Sequence, residues 1–173
     1  SMSRVHSWRG MSIRDSGRDP RASSAASGAG SRSWAVRNFA TSRAWAEYTV
    51  ALAAGLTRVP DNVPLAQAAI LADAVSTPYG AVVHTGKVGI GESVGVWGVG
   101  GVGTHVVQLA RLVGAAPIIA IDINAVARDR ALELGADYAF DSRDPELKEK
   151  IAEVTAGRKL DVAFDAVGLK VTF

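Results

Sequence analysis

A glycine-rich turn set between an apolar run and a helix-like stretch constrains this chain more than any other feature. Ser93-Val-Gly-Val-Trp97 is short and apolar and reads as a strand. Gly98-Val-Gly-Gly-Val-Gly103 follows at once, and from Val102 to Val113 the apolar residues recur at helical spacing. Glycines at 98, 100 and 103 satisfy the pattern G-x-G-x-x-G, which is weak alone and gains meaning from the strand before it and the helix after it. Gly98 allows a sharp turn out of the strand. Gly100 keeps a Cβ out of the way of an approaching pyrophosphate, and Gly103 permits close packing of helix on strand. The helix N-terminus offers unpaired N–H groups and partial positive charge to such a phosphate. A glycine turn without a ligand is the competing reading.

An acidic partner stands where such a turn needs one. Asp122 lies 19 residues after Gly103, at the end of the next apolar run, Pro117-Ile-Ile-Ala-Ile121. A carboxylate there can accept from the ribose hydroxyls of an adenosine and repels a 2′-phosphate, so it favours NAD over NADP. No Arg directly follows, since the next residues are Ile123 and Asn124. The same aspartate also fits a plain helix N-cap.

Strand-like and helix-like stretches then alternate. Ala125 to Leu134 reads as a helix ended by Gly135, Tyr138-Ala-Phe140 as a strand, Pro145 to Thr155 as a charged amphipathic helix, and Val162-Ala-Phe164 as a fourth strand. This spacing is that of βαβ units, and right-handed crossovers require a parallel sheet. The expected fold is α/β: an incomplete, Rossmann-type parallel sheet of about four strands in the order 3-2-1-4, with helices on both faces.

Upstream the chain changes character. Residues 1–43 hold eleven Ser and eight Arg against two Asp, a net charge of +6, while residues 44–173 sum to −4. The basic balance comes from the leader alone, so the remainder offers no nucleic-acid surface. The leader is expected to be low-complexity, disordered or irregular, and to stand apart from the core. An organelle transit peptide, an expression tag beginning Ser1-Met2 and a shifted reading frame all fit its composition. Ala46-Glu-Tyr-Thr-Val50 alternates as a strand does. Pro60-Asp-Asn-Val-Pro64 is a turn cluster with Asp61 or Asn62 as a candidate N-cap. Leu65 to Asp73 has a helical pattern, interrupted by Pro78 and Gly80, and a second helical piece is expected from Tyr79 to Thr85. The expected organisation is a leader (1–43), connecting helices with a remnant of another domain (44–91) and a nucleotide-binding domain (92–173).

Several functions are disfavoured. The chain has no Cys, which excludes disulfides and thiolate metal sites. The 18 uncharged residues between Glu92 and Arg111 approach the length of a membrane span, but five glycines, His105 and Gln108 fit a buried strand, turn and helix better. No membrane association is expected, and the location is read as cytoplasmic, with organelle targeting by the leader left open. His84 reads as packed or solvent-facing, and His105 as a surface residue near the glycine turn. Glu146 and Glu149 read as part of a solvated face with Lys148 and Lys150.

Taken together, Ala46-Glu-Tyr-Thr-Val50, Val59-Pro-Asp61, Asp73-Ala-Val-Ser-Thr-Pro-Tyr-Gly80, the glycine turn, Asp122-Ile-Asn124, Glu133-Leu-Gly-Ala-Asp137 and Asp165-Ala-Val-Gly168 resemble the zinc-containing medium-chain alcohol dehydrogenases. The resemblance spans about two thirds of the chain, from Ala46 to Phe164. It implies an oxidoreductase that moves hydride between an alcohol or carbonyl and nicotinamide. The implied cofactor is NAD, held by Thr77, Gly98, Gly100, Gly101, Val102, Gly103, Asp122 and Val167. Gly98 and Asp122 point away from the quinone- and enoyl-reductase branches. The implied partners are a dinucleotide and a small alcohol or carbonyl, and a homo-oligomer is compatible with the family. Asp73 falls at the family's third zinc-ligand position. The Cys ligand has no counterpart, and His6 lies in no matching context, so zinc is not expected in this chain. The family would also continue past Gly168 with a helix and two strands. A truncated, catalytically inactive nucleotide-binding or interaction module is therefore the alternative reading.

Overall fold

Along Ile118–Ile121 every side chain is buried, and successive residues face opposite ways: Ile118 and Ala120 enter one apolar cluster, Ile119 and Ile121 another. A strand buried on both faces belongs to a sheet covered on both sides. The computed structural model, which describes residues 4–7, 34–36 and 56–168, contains that sheet. Its strands are β1 (Arg4–Ser7), β4 (Val94–Trp97), β5 (Ile118–Ile121), β6 (Tyr138–Phe140) and β7 (Val162–Asp165), in the order β1-β7-β4-β5-β6, all parallel. The described residues fall into two compact units, one from residues 1–11 and 74–173, the other from residues 12–73.

In the sheet unit, α3 (Gly101–Leu112) and α4 (Ala125–Glu133) cover one face. Val106, Val107, Ala110, Ala127 and Ala131 meet Val94, Val96, Ile118, Ala120, Val162 and Phe164. On the other face α5 (Leu147–Val154) lays Leu147, Ile151 and Val154 on Ile119, Ile121 and Leu160. Each fully buried aliphatic side chain contributes roughly 1.5–3 kcal/mol. The small residues on the α3 and α4 side let helices approach the sheet closely.

Carboxylates fix the register where the strands begin. Ser93 N–H and Oγ–H both donate to Asp161 Oδ2 at 2.8 Å, and Asp161 N–H returns to Ser93 Oγ at 2.9 Å. Asp137 Oδ2 accepts from Ile118 N–H at 2.7 Å while its other oxygen pairs with Arg111. The four strands from 94 to 165 stand in the expected order 3-2-1-4 with helices on both faces, as the alternation requires.

Other expectations are corrected. Within the leader, β1 pairs with β7, Arg4 opposite Val162 and Ser7 opposite Asp165. This pairing covers the edge of β7 away from β4, which would otherwise present unpaired backbone groups. In the other unit, β2 (Trp34–Val36) pairs antiparallel with β3 (Leu56–Arg58). The expected strand at 46–50 lies outside the described residues, as does the rest of the leader. Neither Asp61 nor Asn62 caps a helix: α1 (Leu65–Ala68) starts after Pro64 without a side-chain cap, and Asp61 pairs with Arg58 at 2.8 Å.

Pro78 does not interrupt the helical path. A wide, π-type turn (Leu71–Val75) leads into α2 (Ser76–Tyr79), and a second one (Gly80–Thr85) leaves it. Pro78 brings no N–H to this path, and the wide turn directly before α2 accommodates the missing donor. Wide turns of this kind re-aim side chains within a continuous helical path. His84 is exposed and meets the Tyr79 ring edge-on, with centroids 5.4 Å apart.

Candidate functional site

The glycine turn lies at the carboxyl end of β4, in the middle of the four-strand core, beside the ends of β5 and β7. Ligands of open α/β sheets bind at this edge, where successive crossovers pass to opposite faces. Gly98 has φ +80°, a left-handed conformation that disfavours any side chain, and its N–H donates to Ile121 O at 2.8 Å. A Cβ on Gly98 would stand 2.5 Å from Val167 Cγ2, so Val167 closes over the turn. A Cβ on Gly103 would stand 1.8 Å from Gly98 O, which is the close helix-on-strand contact the spacing predicts.

Gly100 and Gly101 differ: a Cβ on either meets nothing within 4 Å. Among the described residues no steric contact therefore asks for glycine there. Gly100 is the N-cap of α3, with no side-chain cap, and the first turn holds no acidic residue. The opening N–H groups of a helix have no acceptor within it. An uncapped N-terminus beside two exposed glycines is a cradle for an anion. Val102 is half-buried just inside it.

Asp122 bridges β4 and β5 at this end. Its Oδ2 accepts from Val99 N–H at 2.9 Å, and its Oδ1 from Asn124 N–H at 2.8 Å. The carboxylate is thereby held beside the glycine turn, and each oxygen keeps a lone pair for a further donor. The N-cap reading of Asp122 is corrected, because Asn124 caps α4 through Oδ1 and Val126 N–H at 2.9 Å.

Partners that the sequence reading missed complete the surroundings. Val99 O accepts from Thr104 Oγ at 2.8 Å and Arg130 Nη2 at 3.2 Å, which pins the turn from both helices. Buried Asp165 accepts from the N–H groups of Val167 and Gly168 at 2.9 Å, holding the loop after β7 against Gly98. Arg128 donates to Asp122 O at 2.8 Å and also meets Asp141. Arg143 reaches Ile123 O at 3.4 Å and clasps Asp141. The Arg143 side chain and backbone N–H hold the Asp141 carboxyl well below the usual carboxylate range.

The structure thus brings Gly98, Gly100, Gly101, Val102, Gly103, Asp122 and Val167 to one edge. Thr77 stands half-buried on α2, which packs against α3. His105 hydrogen-bonds Gly101 O through Nδ1 at 2.7 Å, one turn back along its own helix. Asp73 is exposed and belongs to the other unit. Among the described residues no three His, Cys, Asp or Glu side chains gather as a metal site, and the chain has no Cys. The described residues do not fit a zinc centre. No described helix is long and apolar enough to cross a membrane.

Comparison with known proteins agrees with this geometry. Residues 101–173 match the family model described as zinc-binding dehydrogenase. An NDMA-dependent alcohol dehydrogenase of Amycolatopsis methanolica is 40% identical over 116 residues, which is 67% of this chain and 31% of that protein. The solved alcohol dehydrogenase zinc-binding domain protein of Burkholderia ambifaria superposes with TM-score 0.65 at 36% identity, over 68% of this chain and 32% of that one. The zinc-dependent alcohol dehydrogenase 2 of Streptococcus pneumonia gives TM-score 0.62 at 34% identity, over 69% of this chain and 34% of that one.

The parallel sheet and its helices define a Rossmann-type α/β domain. Residues 101–173 carry the domain of the zinc-binding dehydrogenase family, and about two thirds of the chain is homologous to alcohol dehydrogenases. It spans about a third of the length of the relatives it matches.

Proposed function

We propose that this chain is the NAD(H)-binding part of an alcohol dehydrogenase-like oxidoreductase. The open space at Gly100 and Gly101, beside an uncapped twelve-residue helix, carries the reading. Residues packed into a fold explain Gly98 and Gly103, whereas a ligand explains the other two. The pyrophosphate would lie against the N–H groups opening α3. The adenosine ribose would donate to Asp122, and Val167 and Thr77 would border the path toward the nicotinamide. When bound, the nicotinamide supplies the hydride chemistry. The chain's own residues bind and orient it: Val99 N–H and Asn124 N–H aim the Asp122 carboxylate, and Asp165 holds the Val167 loop over the turn. The whole protein's substrate would be an alcohol or its carbonyl product, and a homo-oligomer in the cytoplasm fits this reading.

NADH should bind better than NADPH. A 2′-phosphate would meet Asp122 at close range, at a penalty of about 2–3 kcal/mol from charge repulsion and a lost hydrogen bond. Fluorescence titration of both reduced cofactors against the wild type and Asp122→Ser tests this. The variant should narrow or reverse the preference. Equal wild-type affinities, or a ratio the variant leaves unmoved, would show that Asp122 does not face the ribose. Binding without alcohol oxidation would assign this stretch cofactor binding alone.

A further inference from the structure

Two arginines lie at the loop that carries Asp122, and both are tied to one carboxylate. Asp141, just past β6, accepts from Arg143 at its backbone N–H (2.9 Å), Nε (3.0 Å) and Nη2 (2.7 Å), and from Arg128 Nη1 at 3.4 Å. The same guanidinium groups donate to the carbonyls of the Asp122 loop, Arg128 to Asp122 O and Arg143 to Ile123 O. Released from Asp141, Arg143, which is 70% exposed, would keep only the long 3.4 Å contact to Ile123 O and could swing, whereas Arg128, 20% exposed, would keep its 2.8 Å bond to Asp122 O. Planar two-point pairing of Arg143 with Asp141 is the strong form of such a contact.

We propose that Asp141 is a positioning residue for cofactor choice, keeping the Arg143 guanidinium folded onto itself and away from the ribose side of Asp122. This rests on the dinucleotide reading above. Asp122 alone repels a 2′-phosphate, but a free guanidinium one loop away would neutralise that repulsion. Arg is the residue best shaped to grip a phosphate. Asp141 removes that counter-charge, so discrimination depends on a pair of aspartates, one facing the ligand and one restraining the cation.

The test titrates NADH and NADPH against the full chain as wild type, Asp141→Asn, Arg143→Gln and the double variant, with far-UV circular dichroism to confirm folding. Asp141→Asn should shift the affinity ratio toward NADPH by at least about fivefold, the scale of one charge acting near a protein surface. The double variant should lose most of that shift, which a merely structural role for Asp141 would not produce. Arg143→Gln alone should leave the ratio within about twofold of wild type, because one salt-bridged surface cation has little net effect. If Asp141→Asn fails to fold, Arg143→Gln still decides. A marked loss of NADPH binding in that variant would show that Arg143 already reaches the phosphate, and would overturn the proposal. Wild-type NADH binding with a ratio unmoved by Asp141→Asn overturns this proposal alone. A wild-type chain that binds neither cofactor overturns the dinucleotide reading and this proposal with it.

Discussion

The two halves of the glycine turn look alike in sequence and differ in structure. Gly98 and Gly103 are enclosed: one adopts a left-handed backbone under Val167, the other presses on Gly98 O. Gly100 and Gly101 face open space. The first pair is required by folding, and under the proposed reading the second leaves room for the dinucleotide. A glycine motif is therefore two constraints written in one residue type, and the space around each glycine separates them.

Substitution can break or sharpen that contrast, and the largest effect belongs to the enclosed half. Gly103→Ala would drive a Cβ to 1.8 Å from a backbone oxygen, which no side-chain rearrangement relieves. The expected loss is about 3 kcal/mol or more, at the severe end of overpacking. Urea denaturation should show a large fall in midpoint, and a near-normal midpoint would mean that α3 sits further from β4 than described.

Gly100→Ala should do the opposite. Its Cβ enters empty space, so stability should change by less than about 1 kcal/mol. NADH affinity should nonetheless fall about tenfold or more, equivalent to roughly 1.4 kcal/mol. Paired denaturation and fluorescence titration check both halves of the expectation. Unchanged binding in a stable variant would remove the pyrophosphate from this end of the helix.

The same division governs what was legible in the sequence. Apolar runs at 94–97, 118–121 and 162–164, punctuated by glycines and charged helices, made the strands legible, because each run is buried or nearly so on both faces. The glycine turn and Asp122 were legible too, since their spacing follows from the geometry of one βαβ unit. The path from Leu71 to Thr85 was not. Pro78 signals a break, and only the wide turns around it show how the helical path continues. Pairing of Arg4–Ser7 with β7 was equally hidden, because it joins residues far apart in sequence and depends on an open edge rather than a local pattern. Asp141, Arg128 and Arg143 belong to no motif that the sequence analysis singled out. Their convergence on the Asp122 loop exists only because β6 lies beside β5.

The smallest effect separates the aim of Asp122 from the stability of the helix next to it. Asn124 caps α4 through its side chain, accepting from Val126 N–H, yet it serves Asp122 through its backbone N–H. Asn124→Ala removes the first contact and retains the second. Losing the cap should cost about 1 kcal/mol. Both donors that orient the Asp122 carboxylate, Val99 N–H and Asn124 N–H, are main-chain groups and survive the change. The ratio of NADH to NADPH affinity should therefore stay near the wild-type value while the denaturation midpoint falls. A ratio that moves with Asn124→Ala would mean that the carboxylate is aimed by the capped helix as a whole. The two backbone hydrogen bonds would then be a consequence of that aim rather than its cause.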